Sequence, residues 1–386
     1  MIKIKMKLLI FIGVIAISSY LGGGNLLYSF LYSSVLVLAF GLIHIIVQLA
    51  TMKINLNIDR DVFRTGDVLS LNIVVKSFSA FPAAYMLVQN QVISNFKNNY
   101  NGDVTFLNYH KEKCFSNELE LKIRGIYDFS VTNILFTDLF CIINGKKRFA
   151  ETKYIKVYPR IYKVNEENFN VRNILQNSFK NIAISEDSNE IRDLRLYREG
   201  DSLKRVHWKL SAKHNELYVK NFAEVAYKNT NIILNMNKEE GILEANDLFE
   251  EQIIDLTVSI ISYLQSKKFK IKLFIDNEEE KVFNIGNHSE FKLLMEYFLN
   301  NKSQGKGDLN TFLESKVTSL VQGSWIGIIT ITVDETLTNK IIILVNMGFK
   351  ISVFYCKGNN LEFINQQRNS GIEFIKCEKA IFSRDE

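Results

Sequence analysis

The sequence predicts an α/β protein in three parts: two N-terminal transmembrane helices, a small β-sandwich and a doubly wound α/β domain. Three observations predict it. Leu8 to Met52 holds no Lys, Arg, Asp or Glu. Residues 53 to about 160 carry short stretches with the two-residue apolar period of strands, and beyond residue 190 apolar strands alternate with helix-period stretches. The expected divisions are a membrane hairpin at 1–52, a sandwich-like domain at 53–160, a connector at 161–189 and the α/β domain at 190–386.

An uncharged run of that length cannot form a soluble surface, and as one helix it would be about twice the ~30 Å thickness of membrane hydrocarbon. It must fold back, and Gly22-Gly23-Gly24-Asn25 supplies the break. The expected helices run from about Leu8 to Leu21 and from Leu26 to Ala50. A cleaved signal peptide competes for the first, opposed by the second apolar run that follows at once. Lys3, Lys5 and Lys7 precede the first helix and Lys53 follows the second, with no charge between, so both ends are expected inside. This predicts a multi-pass protein of the cell membrane whose soluble domains are cytoplasmic. His44, within the second helix, is expected to make a helix-to-helix hydrogen bond.

In the next segment Ile54, Leu56 and Ile58 alternate, as do Leu69, Leu71, Ile73 and Val75, and then Leu119, Leu121 and Ile123. Arg64-Thr65-Gly66-Asp67 and Arg124-Gly125 read as turns between them. Short strands at this spacing predict the sandwich, and no catalytic constellation is visible in it. The stretch 161–189 is polar, with a helical pattern from Val171 to Phe179.

The stretch Glu190 to Phe222 is the densest in chemistry. It packs Arg192, Arg195, Arg198, Lys204, Arg205, Lys209 and Lys213 among Glu190, Asp193, Glu199 and Asp201, with Tyr197, His207 and Trp208 between. Leu194 and Leu196 alternate as in a strand, and Arg198-Glu199-Gly200-Asp201 reads as a turn. Asp201 or Ser202 is expected to cap a short helix on which Leu203, Val206 and Leu210 form one buried stripe. Two readings of the charges stand open: a solvated, salt-bridged surface, or a fixed Arg/Asp network around Trp208 that pins the segment or presents a recognition surface.

The order Leu-Arg-x-Tyr-Arg-x-Gly-Asp, then Arg, Trp-Lys-x-Ser-Ala-Lys, then Glu-Leu-x-Val resembles the signature of the domain of unknown function 58 family. Here it is carried by Leu194, Arg195, Tyr197, Arg198, Gly200, Asp201, Arg205, Trp208, Lys209, Ser211, Ala212, Lys213, Glu216, Leu217 and Val219. Arg205 stands one position nearer the tryptophan than in the family's order. Arg124-Gly125-Ile126-Tyr127, Asp138-Leu139-Phe140 and Val157-Tyr158-Pro159 are similar to further family positions. The resemblance implies a membrane-anchored protein that works with a MoxR-type AAA+ ATPase and a transglutaminase-like membrane protein.

After the signature, strands are expected at Asn231 to Met236, Lys270 to Ile275, Trp325 to Val333, Lys350 to Tyr355 and Ile372 to Ile375. Helices are expected at Asp247 to Lys268, Ser289 to Leu299, Leu309 to Val321 and Leu337 to Met347. This alternation gives a mainly parallel, doubly wound sheet that binds ligands at the carboxyl ends of its strands. The half resembles von Willebrand factor A-like domains, whose first strand ends in Asp-x-Ser-x-Ser and coordinates a divalent cation. The matching residues are Asn235-Met236-Asn237-Lys238-Glu239, with Asp334 as the other carboxylate expected near that rim. Asn in place of Asp removes charge and Lys238 adds repulsion, so Asn235, Asn237, Glu239 and Asp334 form a degenerate rim and no metal is expected.

Composition narrows function further. A net charge of +5 with 23% charged residues gives no strong field for nucleic acid. Cys114, Cys141, Cys356 and Cys377 form no CxxC pair and are expected to be small buried side chains in a reducing compartment. No Gly-rich phosphate loop, HExxH or GxSxG is present, and Gly305-Lys306-Gly307-Asp308 lacks the strand and spacing of a P-loop, leaving a flexible turn. The expected function is that of a non-enzymatic scaffold without cofactors, docking other proteins at the membrane. A binding module for a phosphate-bearing ligand, using the signature's Arg and Lys residues, is the alternative.

Overall fold

In the computed structural model the uncharged run forms two helices, α1 (Met6–Gly22) and α2 (Asn25–Thr51). Gly23 and Gly24 join them at φ of 59° and 101°, a region that side chains with a Cβ rarely enter. The structure describes residues 2–165, 191–198, 201, 206–222, 228–238, 246–320, 324–358 and 372–381, apart from positions 80, 98, 109 and 110. Among the described residues α2 is the helix long and apolar enough to cross a membrane. Its 27 residues rise about 40 Å, whereas the 17 of α1 rise about 26 Å, short of the hydrocarbon core. Outward-facing Phe11, Ile17, Phe30 and Leu36 leave the pair apolar outside.

The chain divides by its internal contacts into two units, Met1–Tyr158 and Pro159–Glu386. In the first, strands run as β1 (Ile2–Ile4), β2 (Met52–Ile58), β3 (Val62–Arg64), β4 (Asp67–Ser77), β5 (Ala83–Asn90), β6 (Asp103–Leu107), β7 (Glu112–Leu121), β8 (Gly125–Asp128), β9 (Val131–Thr137), β10 (Ile143–Ala150) and β11 (Tyr154–Tyr158). They form a five-stranded sheet ordered β1-β10-β9-β5-β6 and two three-stranded sheets, β2-β4-β7 and β3-β11-β8. Alternation in β4 turns Leu69, Leu71, Ile73 and Val75 inward, where they share one core with Met86, Phe136 and Val157.

Two features of this unit differ from expectation. Ile2–Ile4, for which no strand was expected, pairs with Ile143–Gly145 as an edge strand. His44 donates to Pro82 O at 2.9 Å rather than to the other helix, and Gln48 donates to Phe81 O at 2.7 Å. Both lie in the last turns of α2, where Gly41, His44, Ile45 and Gln48 are buried by protein. Of the family-like positions here, Asp138 is fully buried and accepts the N–H groups of Phe140, Ile142 and Ile143. Arg124 is also buried.

The second unit opens with Arg160 N donating to Asp255 and Tyr162 N to Ser259, which lays the start of the expected connector along a helix. The rest of that connector lies outside the described residues. Next come β12 (Ile191–Leu196), α3 (Trp208–His214) and β13 (Tyr218–Phe222). Then follow β14 (Lys228–Asn235), α4 (Asn246–Ser266), β15 (Phe269–Asp276), β16 (Lys281–Ile285), α5 (His288–Asn300), α6 (Leu309–Val317), β17 (Trp325–Val333), α7 (Glu335–Asn346), β18 (Lys350–Gly358), β19 (Glu373–Lys376) and α8 (Cys377–Ala380).

Six strands form one sheet ordered β16-β15-β14-β17-β18-β19, parallel except for β16. Adjacent residues of β14 point to opposite faces: Ile232 and Leu234 pack with Ile253 and Ile261 of α4, and Ile233 packs with Phe312 of α6 and Ile341 of α7. Chain order reverses between β14 and β17, which places their carboxyl ends side by side. The edge strand β16 was absent from the sequence reading, because the charged run Glu278–Lys281 hides a hairpin.

Candidate functional site

Two regions of the second unit contain the residues singled out by sequence. The first is the signature. Strands β12 and β13 pair antiparallel, with Arg195 opposite Val219 and Leu196 opposite Tyr218. Asp201 closes the connecting turn: its N–H donates to Arg198 O at 3.0 Å and its carboxylate accepts Arg198 N at 2.9 Å. The Arg195 guanidinium then grips the same carboxylate through two parallel bonds of 2.7 Å, the strong fork geometry of that pair. The Arg195 fork and the Arg198 N–H together hold the Asp201 carboxyl down at about 2, from an ordinary 3.8. Tyr197 N bonds Leu217 O at 2.8 Å and extends the pairing. Gly200 and Arg205 lie outside the described residues.

The expected helix stripe is corrected here. Val206 is extended, bridging Val219, so it cannot share a helix with Leu210. The helix begins at Trp208, capped by His207 Nδ1, which accepts Leu210 N at 3.2 Å. The Asp201 carboxylate is held by Arg195 and the Arg198 N–H, and Ser202 and Leu203 lie outside the described residues. Ser211 Oγ accepts Tyr218 N at 2.9 Å and locks α3 to β13. Trp208 therefore stands on the outer side of α3 and is 62% exposed, not packed into a network with the arginines. Lys209 beside it is exposed too.

The second region is the rim at the carboxyl ends of β14 and β15. Asn235 Nδ2 donates to Thr330 Oγ1 at 3.1 Å, and its Oδ1 accepts Asn237 N at 3.0 Å. Asn237 Nδ2 donates to Asp276 Oδ2 at 2.6 Å, and its Oδ1 accepts Gly307 N at 3.1 Å. Asp334 caps α7, accepting Leu337 N and the Thr336 hydroxyl. The side chains of a cation-binding rim are thus engaged with protein groups, and Asn237 presents an N–H where a cation needs an oxygen. A divalent ion does not fit this set. Among the described residues no three His, Cys, Asp or Glu side chains are grouped to hold a metal. Glu239 lies outside the described residues.

Gly305-Lys306-Gly307-Asp308 is no loose turn. Asn277 Oδ1 accepts both Gln304 N and Gly305 N at 2.9 Å, and Lys238 N donates to Gly305 O at 2.9 Å. A Cβ on Gly305 would collide with Asn237 Oδ1 and come within 2.9 Å of the Asn277 backbone, so the close approach requires glycine. Asp276 and Asn277 were missed, and Asp334 and Glu239 are not the only carboxylates at this rim. The available signal was an Asp-Asn pair at the end of a parallel strand. Burial pushes the Asp276 carboxyl above its ordinary 3.8; the Asn237 N–H lowers it, Glu280 and Asp308 raise it, and Lys316 lowers it.

Cysteine chemistry has no exposed, activated setting in this unit. Cys356 and Cys377 are buried, and the hydrogen bond to the Cys356 thiol together with burial pushes the Cys377 thiol up, away from the reactive thiolate. Cys114 and Cys141 are exposed, contrary to expectation, the first on the outward side of β7 and the second in the Asp138 turn.

Residues 193–338 match the family described as protein of unknown function DUF58. This part of the chain is a DUF58 region. It runs from within β12 to the start of α7, and so includes Asp201, Trp208 and the whole Asn237–Asp276–Gly305 rim. No curated protein matches the chain. Among solved structures, the conserved hypothetical protein BatB from Bacteroides thetaiotaomicron aligns at 13% identity over 33% of this chain and 65% of its own, with a TM-score of 0.23. An aerotolerance-related membrane protein from Bacteroides fragilis aligns at 12% over 33% and 66%, with a TM-score of 0.23. A von Willebrand factor type A protein from Catenulispora acidiphila aligns at 8% over 38% of each chain, with a TM-score of 0.24. At scores this low the likenesses say nothing about what the DUF58 region binds.

Proposed function

We propose that this chain is a non-enzymatic, membrane-anchored interaction protein whose DUF58 region docks a partner, a MoxR-type AAA+ ATPase foremost and a transglutaminase-like membrane protein beside it. The anchor is a hairpin of α1 and α2 with the soluble units in the cytoplasm. The observation that carries the anchoring is the pairing of β1 with β10. A strand before α1 and a sheet after α2 are joined, so the two helices leave and return on one side. Lysines at both flanks favour the inside for that side.

Binding rather than catalysis is supported by the rim, where Asn235, Asn237, Asp276 and Asp334 are hydrogen-bonded to the protein's own groups. The doubly wound, A-like sheet then serves as a rigid platform for its surface. Capture of a phosphate-bearing ligand by the signature is the weaker reading, since the Arg195 fork that would grip an anion already grips Asp201.

Affinity capture from detergent extracts tests the reading. The tagged full chain is expected to retain an AAA+ ATPase that a chain lacking 190–386 does not. Equal recovery by both would refute the assignment of docking to the DUF58 region. Protease added to intact cells is expected to leave the soluble units whole, and their digestion would reverse the topology.

A further inference from the structure

Trp208 is the feature that neither the fold nor the rim explains. Tryptophan is a costly side chain to leave in water, and where it stands proud of a rigid element it most often anchors a protein contact. The platform beneath it is fixed from behind: His207 Nδ1 caps α3, Ser211 Oγ accepts Tyr218 N, and His207 N donates to Tyr218 O at 2.8 Å. Val206, on the chain entering the helix, is buried against β13. Trp208 is thus held in place while its ring faces solvent.

Exposure along α3 follows the helical period. Trp208, Lys209, Ala212, Lys213 and His214 are exposed, the last with its ring against Tyr218, while Leu210 is half-buried and Ser211 is buried. Positions i, i+1, i+4 and i+5 make one outward stripe, with the aromatic and Ala212 in one row and the two lysines in the next. No acidic residue lies within α3.

We propose that this stripe is a docking surface for an acidic, apolar segment of a partner protein, an apolar side chain covering Trp208 and Ala212 while carboxylates meet Lys209 and Lys213. The proposal rests on the reading of the chain as an interaction protein and names the surface that does it. Charge complementarity selects the occupant: two lysines beside one aromatic fit a short acidic segment, whereas an anionic bilayer is held by larger basic clusters.

The test places a photo-crosslinking amino acid in the full-length protein, in its own cells, at Trp208 and separately at Leu293, an exposed position on α5. Position 208 is expected to give a protein adduct whose crosslinked peptide carries Asp or Glu beside an apolar residue. Adding Lys209→Glu and Lys213→Glu is expected to cut its yield about tenfold, with the Leu293 adducts unchanged. Adducts at 293 with none at 208 overturn the docking surface and leave the interaction reading standing. Adducts at neither position overturn both. An adduct at 208 with lipid or with a second copy of this chain, or a yield indifferent to the charge reversals, also overturns the proposal.

Discussion

The signature hairpin and the six-stranded sheet divide the chain's two tryptophans between them, and the contrast shows how differently the two regions are built. Trp325 opens β17 at 3% exposure, with Nε1 bonded to Ser352 Oγ at 3.0 Å and its ring over Gly327. Trp208 stands 62% exposed on a seven-residue helix. The aspartates divide in the opposite sense. Asp201 of the hairpin is gripped by an arginine and held acidic, while Asp276 of the sheet is buried against an amide and pushed up. The sheet stabilises itself by burial and tolerates a poorly paired charge. The hairpin, with little core, is shaped by ionic and backbone hydrogen bonds and keeps its aromatic surface outside.

The sharpest way to break that comparison is truncation of the buried tryptophan. Trp325→Ala is expected to destabilise the second unit by about 3–5 kcal/mol, read as a fall in the denaturant midpoint of the detergent-purified chain. A loss below about 1 kcal/mol would mean that the ring is not part of the core. Gly305→Ala comes next, at about 1–3 kcal/mol, because the added Cβ must displace Asn237 or the Asn277 backbone. An unchanged midpoint would return the 305–308 loop to the flexible turn that its sequence suggests.

The two aspartates give opposite pH signatures. Asp201 has a folded value of about 2, below its ordinary 3.8, so its stabilising contribution is complete above about 3.8 and disappears as pH falls through about 2. Asp201→Asn is expected to be less stable than the native chain at neutral pH, the two converging at low pH. Asp276 has a raised folded value, so its ionisation opposes folding at neutral pH and the penalty lifts as pH falls through that value. Asp276→Asn is expected to be more stable than the native chain at neutral pH, and the advantage to vanish in acid. Denaturation of the three proteins between neutral pH and acid checks both signs; parallel curves would remove the electrostatic half of the contrast. The smallest effect is reserved for Trp208→Ala, expected to shift stability by no more than about 0.5 kcal/mol.

The strands and helices around the site were legible because each repeats its apolar pattern over a short span. Ile232, Ile233 and Leu234 mark β14, and the helix from Asp247 shows its buried stripe in sequence. Of the signature, the Arg195 and Asp201 pairing was within reach, since a turn brings residues six apart together. The position of Trp208 was not, because it depended on where the helix starts. His207, which caps through Nδ1, starts α3 at Trp208, and from that start the ring faces outward.

By itself the sequence determined the uncharged hairpin with its glycine break, the change of period near residues 52 and 190, and the residues that carry the DUF58 pattern. All of these depend on neighbours a few positions apart, where covalent spacing fixes which side chains share a face. Only the tertiary structure decided that Ile2–Ile4 pairs with Ile143–Gly145, that Asp276 meets Asn237 across 39 residues, and that Gly305 closes over Asn237 and the Asn277 backbone. Those contacts follow from strand order and from burial of both sheet faces, which are settled by long-range packing that no local period records.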